Sequence, residues 1–226
     1  MISVIIPTFD AARRLPRALA PLVAGAARGL VKQVIVTDGG STDDTIAIAE
    51  AAGCEVVVGE KGRAKQLRAG AAAAKANWFL FLHADTELGP GWVGEAERFM
   101  GAAHAHMRAG AFRLAFDDAS LQARWVAFWA RVRADVMKLP YGDQGLLISR
   151  FLYECVGGYP DLPLMEDVEI VRRLGAKRLV LLRTEAVTSA EKYRRDGYVR
   201  RSWRNLTLTA RYLMGADPAV LARAYE

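Results

Sequence analysis

The chain has 226 residues, of which 52% are hydrophobic, and a formal net charge of +6. That length suits one domain with a single substantial core, and no apolar run approaches the roughly 20 residues needed to span a bilayer. The positive balance suits an anionic ligand, a membrane surface or a nucleic acid, and charge alone does not choose between them.

Residues 2–6, Ile-Ser-Val-Ile-Ile, read as a strand ending at Pro7-Thr8. Nothing before it has the basic flank and apolar run of a secretory signal, so a cytoplasmic home is expected. A helix follows with Leu15, Leu19, Leu22 and Val23 on its apolar side, stopping around Gly25. A second strand, 33–37, runs into Asp38-Gly39-Gly40-Ser41-Thr42-Asp43-Asp44, where Ser41 can cap a helix and Asp44 can act as a short-armed capping box. That helix is expected to reach Gly53. After a third strand, 55–58, Gly59-Glu60-Lys61-Gly62 leads into an alanine-rich helix over 63–76. Trp78 to Leu82 are five consecutive apolar residues, the pattern of a central strand buried on both faces. Four strand–helix alternations in a row predict a parallel, doubly wound sheet.

The second half is less regular. Residues 109–116 read as a strand with Arg113 outward, and 120–137 as an amphipathic helix carrying Trp125, Phe128, Trp129 and Val132. Gly142-Asp143-Gln144 precedes an apolar strand, 145–149, and Gly157-Gly158-Tyr159-Pro160 marks a turn. Glu166-Asp167 open a helix ending near Gly175, followed by a strand at 178–182, a basic segment, and a last helix over 198–214. Cys54 and Cys155 lack metal-ligand spacing, so buried reduced thiols are expected. His104 and His106 look like a metal pair, but a surface position is the better reading.

Ligands of an open α/β sheet sit outside the carboxyl ends of its strands, which gives His83 and Asp85, just beyond the buried strand, their interest. A carboxylate there can hold Mg²⁺ or Mn²⁺ and through it a diphosphate. His83 can be a second ligand, meet a phosphate, or only satisfy backbone. Asp38, on a loop with two glycines, can accept from a base or a ribose, or merely cap the turn. Glu166 and Asp167 fit a helix-capping acidic pair, or a pair of which one takes a proton from an acceptor hydroxyl. Arg63, Lys65, Gln66 and Arg68 are either a solvated face or, for Arg63 above all, a seat for a diphosphate.

Four segments then converge: Pro7-Thr8-Phe9-Asp10, Val36-Thr37-Asp38-Gly39-Gly40-Ser41-Thr42-Asp43, Leu82-His83-Ala84-Asp85-Thr86 and Met165-Glu166-Asp167. Together they resemble the family 2 glycosyltransferases of GT-A fold, nearest to a small bacterial subgroup with His-Ala-Asp in place of Asp-x-Asp. The resemblance spans residues 2–175. It implies a Rossmann-like, mostly parallel sheet and inverting transfer from a nucleotide-diphosphate sugar, commonly a UDP-sugar, with divalent Mn²⁺ or Mg²⁺. It assigns Pro7, Thr8, Asp38, Gly39, Arg63, Gln66 and Ala84 to the donor, Asp85 with His83 to the metal, Asp167 with Glu166 to catalysis, and Asp143 and Gln144 to the acceptor side. Gly39 departs from the pattern, since many members carry a second Asp there. On this reading the single domain divides into a nucleotide-binding half (1–88), an acceptor-side half (89–190) and a basic helical segment (191–226).

Two other readings stand beside it. A sugar-phosphate nucleotidyltransferase shares the layering but normally needs a glycine-rich basic loop after the first strand, which Pro7-Thr8-Phe9-Asp10 lacks. A non-catalytic binder would use the tail, where Trp203, Leu206, Ala210, Leu213 and Met214 share a face and Arg200, Arg204 and Arg211 lie off it. That helix packs on the domain, or it forms an acceptor lid, or it touches anionic lipid as a peripheral contact at the inner membrane face, which a lipid-linked acceptor would suit. No nucleic-acid-binding signature is visible.

Overall fold

The computed structural model describes residues 1–225. β1 (Ile2–Thr8) is apolar on both faces because both are covered. It lies between two parallel neighbours, β2 (Val31–Asp38) and β4 (Trp78–Phe81), with Ile5 level with Ile35 and Phe81. β3 (Glu55–Val58) extends the parallel set beyond β2. On the other side β7 (Leu146–Ser149) pairs antiparallel with β4, then come β6 (Ala109–Phe116), β8 (Leu179–Thr188) and the short β5 (Thr86–Leu88). The chain leaves β1 toward β2 and β3, then returns on the other side as β4. That reversal of strand order opens a crevice at the carboxyl ends of β1 and β4.

Alternate residues of β1 and β4 feed two cores, one on each face of the sheet. Ile5, Phe79 and Phe81 meet Leu67 and Ala71 of α4 (Arg63–Ala73), Leu152 of α7 (Arg150–Cys155) and Val168 of α8 (Glu166–Leu174). Val4, Ile6, Leu80 and Leu82 meet Leu15 of α1 (Leu15–Leu19), Leu22 of α2 (Leu22–Ala27), Ala49 of α3 (Thr45–Ala51) and Trp92 of α5 (Trp92–Gly101). α4 lies so close to the sheet that a Cβ on Gly70 would collide with Ile5 Cγ2 and stand 3.1 Å from Thr37 Cγ2. α6 (Leu121–Val136), α9 (Glu191–Asp196), α10 (Tyr198–Leu213) and α11 (Pro218–Tyr225) complete the chain.

The four parallel strands stand as the sequence predicts, and Arg113 points out. Other expectations need correction. The first helix is two, parted before Pro21, and Val23 is exposed while Gly25 sits inside α2 against Trp92. Ser41 caps nothing: its hydroxyl bonds Asp38, and α3 begins after Asp44, which gives no side-chain cap. Cys54 is half-buried and Cys155 exposed, not both buried. α7, α9, α11 and β5 have no counterpart in the sequence expectations, and β8 runs well past 182. His104 and His106 are exposed, as expected. α6 is amphipathic, as expected, and its orientation is settled by the packing. Trp125, Phe128 and Trp129, at 51%, 57% and 51% exposure, face solvent, and the helix meets the sheet through Ala123, Val126, Ala127, Ala130 and Ala134.

Candidate active site

The β4 strand delivers His83, Ala84 and Asp85 into the crevice through a tight turn, in which the Thr86 amide donates to the His83 carbonyl. The Ser189 amide donates to the Asp85 carbonyl at 3.2 Å and pins this loop to the end of β8. His83 and Asp85 therefore face a cleft of about 140 Å³, lined also by Arg63, Asp143 and Asp167. A wider, charged hollow of about 470 Å³ shares Asp85, Thr188 and Ser189 with it.

Asp167 comes from the start of α8. The residue before that helix, Met165, is buried with φ +69°, a left-handed backbone that side-chain-bearing residues seldom adopt. The bend directs two successive acids differently. Glu166 is 1% exposed and ion-paired to Arg63, whereas Asp167 lines the cleft. Backbone amides hold both oxygens of Asp167, Gly142 to Oδ2 and Val168 to Oδ1, each at 2.8 Å. Burial pushes the Glu166 carboxyl up, Arg63 opposes the shift and Asp167 adds to it.

The turn at Gly142–Gln144 closes the opposite wall. A Cβ on Gly142 would lie 2.7 Å from His83 Nε2 and 3.2 Å from Asp167 Oδ2, so only glycine lets these two groups come together. Asp143 lines the cleft with a buried Oδ1 that has no hydrogen-bond partner. Its carboxyl is pushed up to about 6, chiefly by burial; Arg133 opposes this, and Asp167 and Asp85 reinforce it. Gln144 is turned away: its Nε2 donates to the Phe112 carbonyl, so it holds the turn on β6 and does not reach the cleft.

His83 is neutral at pH 7, because burial and then Arg63 depress its pKa to about 4 against the opposing pull of Asp85 and Asp167. A neutral imidazole is the form that ligates a metal. Among the described residues no three His, Cys, Asp or Glu side chains are close enough to hold an ion. His83 and Asp85 line the same cleft, and a hard cation bound there would have to take most of its oxygens from water and substrate phosphates.

The donor-side residues divide. Asp38 is buried and lies outside the Asp85–Asp167 cleft. It accepts from Thr8 Oγ1, the Gly40 and Ser41 amides and Ser41 Oγ at 2.6 to 2.9 Å. Burial raises its pKa, but these donors outweigh burial and hold it below the usual carboxylate range. Gln66 spends its amide on the Thr8 and Thr37 carbonyls, both at 2.6 Å, and so clamps β1 to β2. Asp38, Thr8 and Gln66 therefore shape the loop, and Gly39 completes it, since a Cβ there would press 3.1 Å from the Lys61 backbone. Pro7, paired with Thr37 across β1 and β2, and Ala84 are both half-buried. Arg63, at 40% side-chain exposure, lines the cleft.

The segment 193–204, for which the sequence offers a lid reading, does reach the cleft, and Lys192 and Tyr225, which the sequence did not single out, join it. Lys192, Tyr193, Arg201 and Tyr225 line the same cleft from α9, α10 and α11. Arg201 is buried, bonded to Asp196 Oδ2 at 2.6 Å and to the Tyr225 hydroxyl at 2.9 Å. Phe9 was also overlooked: it is exposed beside Gly39's neighbour Lys61, whose Nζ lies 3.7 Å from the ring centre.

Comparison with known proteins bears on the fold and the family. An uncharacterized glycosyltransferase of Rickettsia felis is 34% identical over 120 residues, which cover 50% of this chain and 38% of that protein. A glucosyl-3-phosphoglycerate synthase of Mycobacterium tuberculosis, solved with Mn²⁺ and uridine-diphosphate-glucose, superposes with a TM-score of 0.63. It is 21% identical, and the match covers 94% of this chain and 78% of that one. S. aureus TarS, residues 1–349, gives a TM-score of 0.62 at 15% identity, covering 93% of this chain and 65% of that one. The fold is thus that of the GT-A glycosyltransferases. The sequence pattern of "Glycosyl transferase family 2" matches residues 3–139, more than half of the chain, and the chain belongs to that family.

Proposed function

We propose that the protein moves a sugar from a nucleotide-diphosphate sugar, with uridine as the base, to an acceptor hydroxyl with inversion at the anomeric carbon. The observation that carries this reading is the meeting of Asp85 and Asp167, far apart in the chain, on one cleft with Arg63 at its edge. Mn²⁺ or Mg²⁺, held by Asp85 with His83 beside it, would neutralise the charge gathering on the departing diphosphate. Arg63 keeps guanidinium nitrogens free of Glu166 for the same phosphates. The Gly39–Gly40 loop, supported by Thr8 and Asp38, seats the nucleoside together with Pro7 and Ala84, with the exposed Phe9 ring as a stacking face.

Asp167 takes the proton of the acceptor hydroxyl. The acceptor oxygen bonds to the anomeric carbon while the bond from that carbon to the phosphate oxygen breaks, and the electron pair leaves with the nucleotide diphosphate. The Gly142 and Val168 amides keep the carboxylate aimed throughout. Asp143, with its unpartnered oxygen on the same wall, orients the acceptor.

Thermal unfolding with UDP and Mn²⁺ tests the donor seat. A ligand at a hundred times its Kd stabilises the folded state by about 2.7 kcal/mol. Asp85→Ala is expected to lose the metal-dependent part of that shift together with transfer. Full metal-dependent turnover in this variant would show the site assignment to be wrong.

A further inference from the structure

We infer that the face formed by α6 and α10 is a docking surface for an anionic lipid bilayer, with lipid hydrocarbon lying in the groove between the two helices. This goes beyond the transferase reading and does not depend on it.

α6 carries two apolar stripes at helical spacing, and the structure buries the smaller one. Ala123, Val126, Ala127, Ala130 and Ala134 pack inward, while Leu121, Trp125, Phe128, Trp129 and Val136 face out. Across from them α10 exposes Val199, Trp203, Leu206 and Leu213, Trp203 to 69%. Between the helices lies an apolar groove of about 450 Å³, whose walls include Trp125, Trp129, Met137, Trp203 and Leu206. A continuous apolar surface of this kind is what a partner or a membrane covers.

Charge chooses among the occupants. α10 has four arginines and no acid, and α6 has three arginines against Asp135 alone. Arg131, Arg201 and Arg204 are paired with Glu185 and Asp196, whereas Arg124, Arg200 and Arg211 on the same two helices are exposed. A second copy seated two-fold on this face would set arginine-rich helices against each other, which disfavours self-association. An anionic bilayer reverses that penalty: tryptophans settle at the interface, apolar side chains enter the acyl region and arginines meet lipid phosphates. The groove also leads inward, because Tyr141, Asp143, Tyr193 and Asn205 line both it and the Asp85–Asp167 cleft. Docking by this face would bring the cleft to the membrane surface.

The test uses the full chain with vesicles of phosphatidylglycerol and phosphatidylcholine, or of phosphatidylcholine alone, and a variant with Trp125, Trp129 and Trp203 all changed to Ser. The wild type is expected to float with the anionic vesicles, at least tenfold more than with the neutral ones. Acyl-brominated phosphatidylglycerol should quench its tryptophan fluorescence. The variant should lose flotation at least tenfold while its UDP and Mn²⁺ thermal shift matches wild type, which shows an intact fold and donor seat. Equal flotation of variant and wild type overturns the proposal, as does absence of flotation in the wild type. A wild-type dimer that the variant dissolves, without lipid binding, also overturns it and assigns the face to self-association. Loss of the nucleotide shift in the wild type would instead strike at the transferase reading alone.

Discussion

Gly142→Ala is the substitution that probes the site with least disturbance elsewhere. The new Cβ would stand 2.7 Å from His83 Nε2 and 3.2 Å from Asp167 Oδ2, against 3.4 Å at the near edge of ordinary contact. The difference obliges His83 to retreat by about 0.7 Å, and Asp167 by a smaller step. A shift near 1 Å at reacting groups costs about a hundredfold in rate, or ~2.7 kcal/mol of barrier. The expected loss in kcat/KM is therefore roughly thirty- to a hundredfold. Stability should hardly change, because both side chains end in a cleft that can yield, and removing a glycine restricts the unfolded chain by about 0.4–1 kcal/mol in compensation. Steady-state release of nucleoside diphosphate from the donor, measured beside a thermal melt, separates the two effects. Turnover within twofold of wild type would refute the claim that His83 and Asp167 must approach each other across this glycine.

Three further outcomes follow from the packing. Gly70→Ala drives a methyl into Ile5 Cγ2 and should cost about 1–3 kcal/mol despite the gain in helix propensity, read as a lowered urea midpoint. Glu169 is held down to about 2, first by Arg172, then by the Tyr212 hydroxyl and Arg173 against the pull of burial, so its contribution is complete above its ordinary 4.5 and lost as pH falls toward 2. The stability gap between wild type and Glu169→Gln should thus shrink from at most ~3 kcal/mol at pH 7 toward nothing near pH 2, by denaturant titration at each pH. Arg63→Met strands the buried Glu166 carboxylate and should cost about 3 kcal/mol, the low end for a broken buried pair because Arg63 is partly in solvent. Burial raises the Glu166 pKa, so the protonated form suits the folded state and this deficit should be larger at pH 8 than at pH 5.

The parallel half of the sheet was legible because its signals are local. Five apolar residues at Trp78–Leu82 can only be a buried segment, and the polar His83-Ala84-Asp85-Thr86 turn after it, like the Gly- and Asp-rich turn after β2, stops the strand where the crevice begins. Periodicity says less about direction. In α6 the aromatic stripe and the alanine stripe have the same spacing, and spacing cannot say which one meets the sheet. The sheet chose the alanines, whose small side chains let the helix lie close, and left the bulk outside. Pro21 divided the first helix for a similarly local reason that the count of leucines concealed.

At the site, the acids were legible and the amides were not. Asp85 and Asp167 each follow a strong boundary, a buried strand in one case and a helix start in the other, and a carboxylate at such a boundary has few uses inside a core. Gln66 and Gln144 also stand at boundaries, yet each amide satisfies main-chain carbonyls contributed by distant strands, Thr8 and Thr37 for one and Phe112 for the other. Which carbonyls would lack a partner is decided only when the sheet assembles, so no single segment encodes it. The same holds for Arg201 and Tyr225. They reach Asp85's cleft from the far end of the chain, and their mutual hydrogen bond, with the Arg201–Asp196 pair, fixes the cover over a site whose chemical groups lie almost entirely upstream. The carboxylates at the cleft are thus written in local motifs, whereas the helices that cover it are held by tertiary contacts that no single segment spells out.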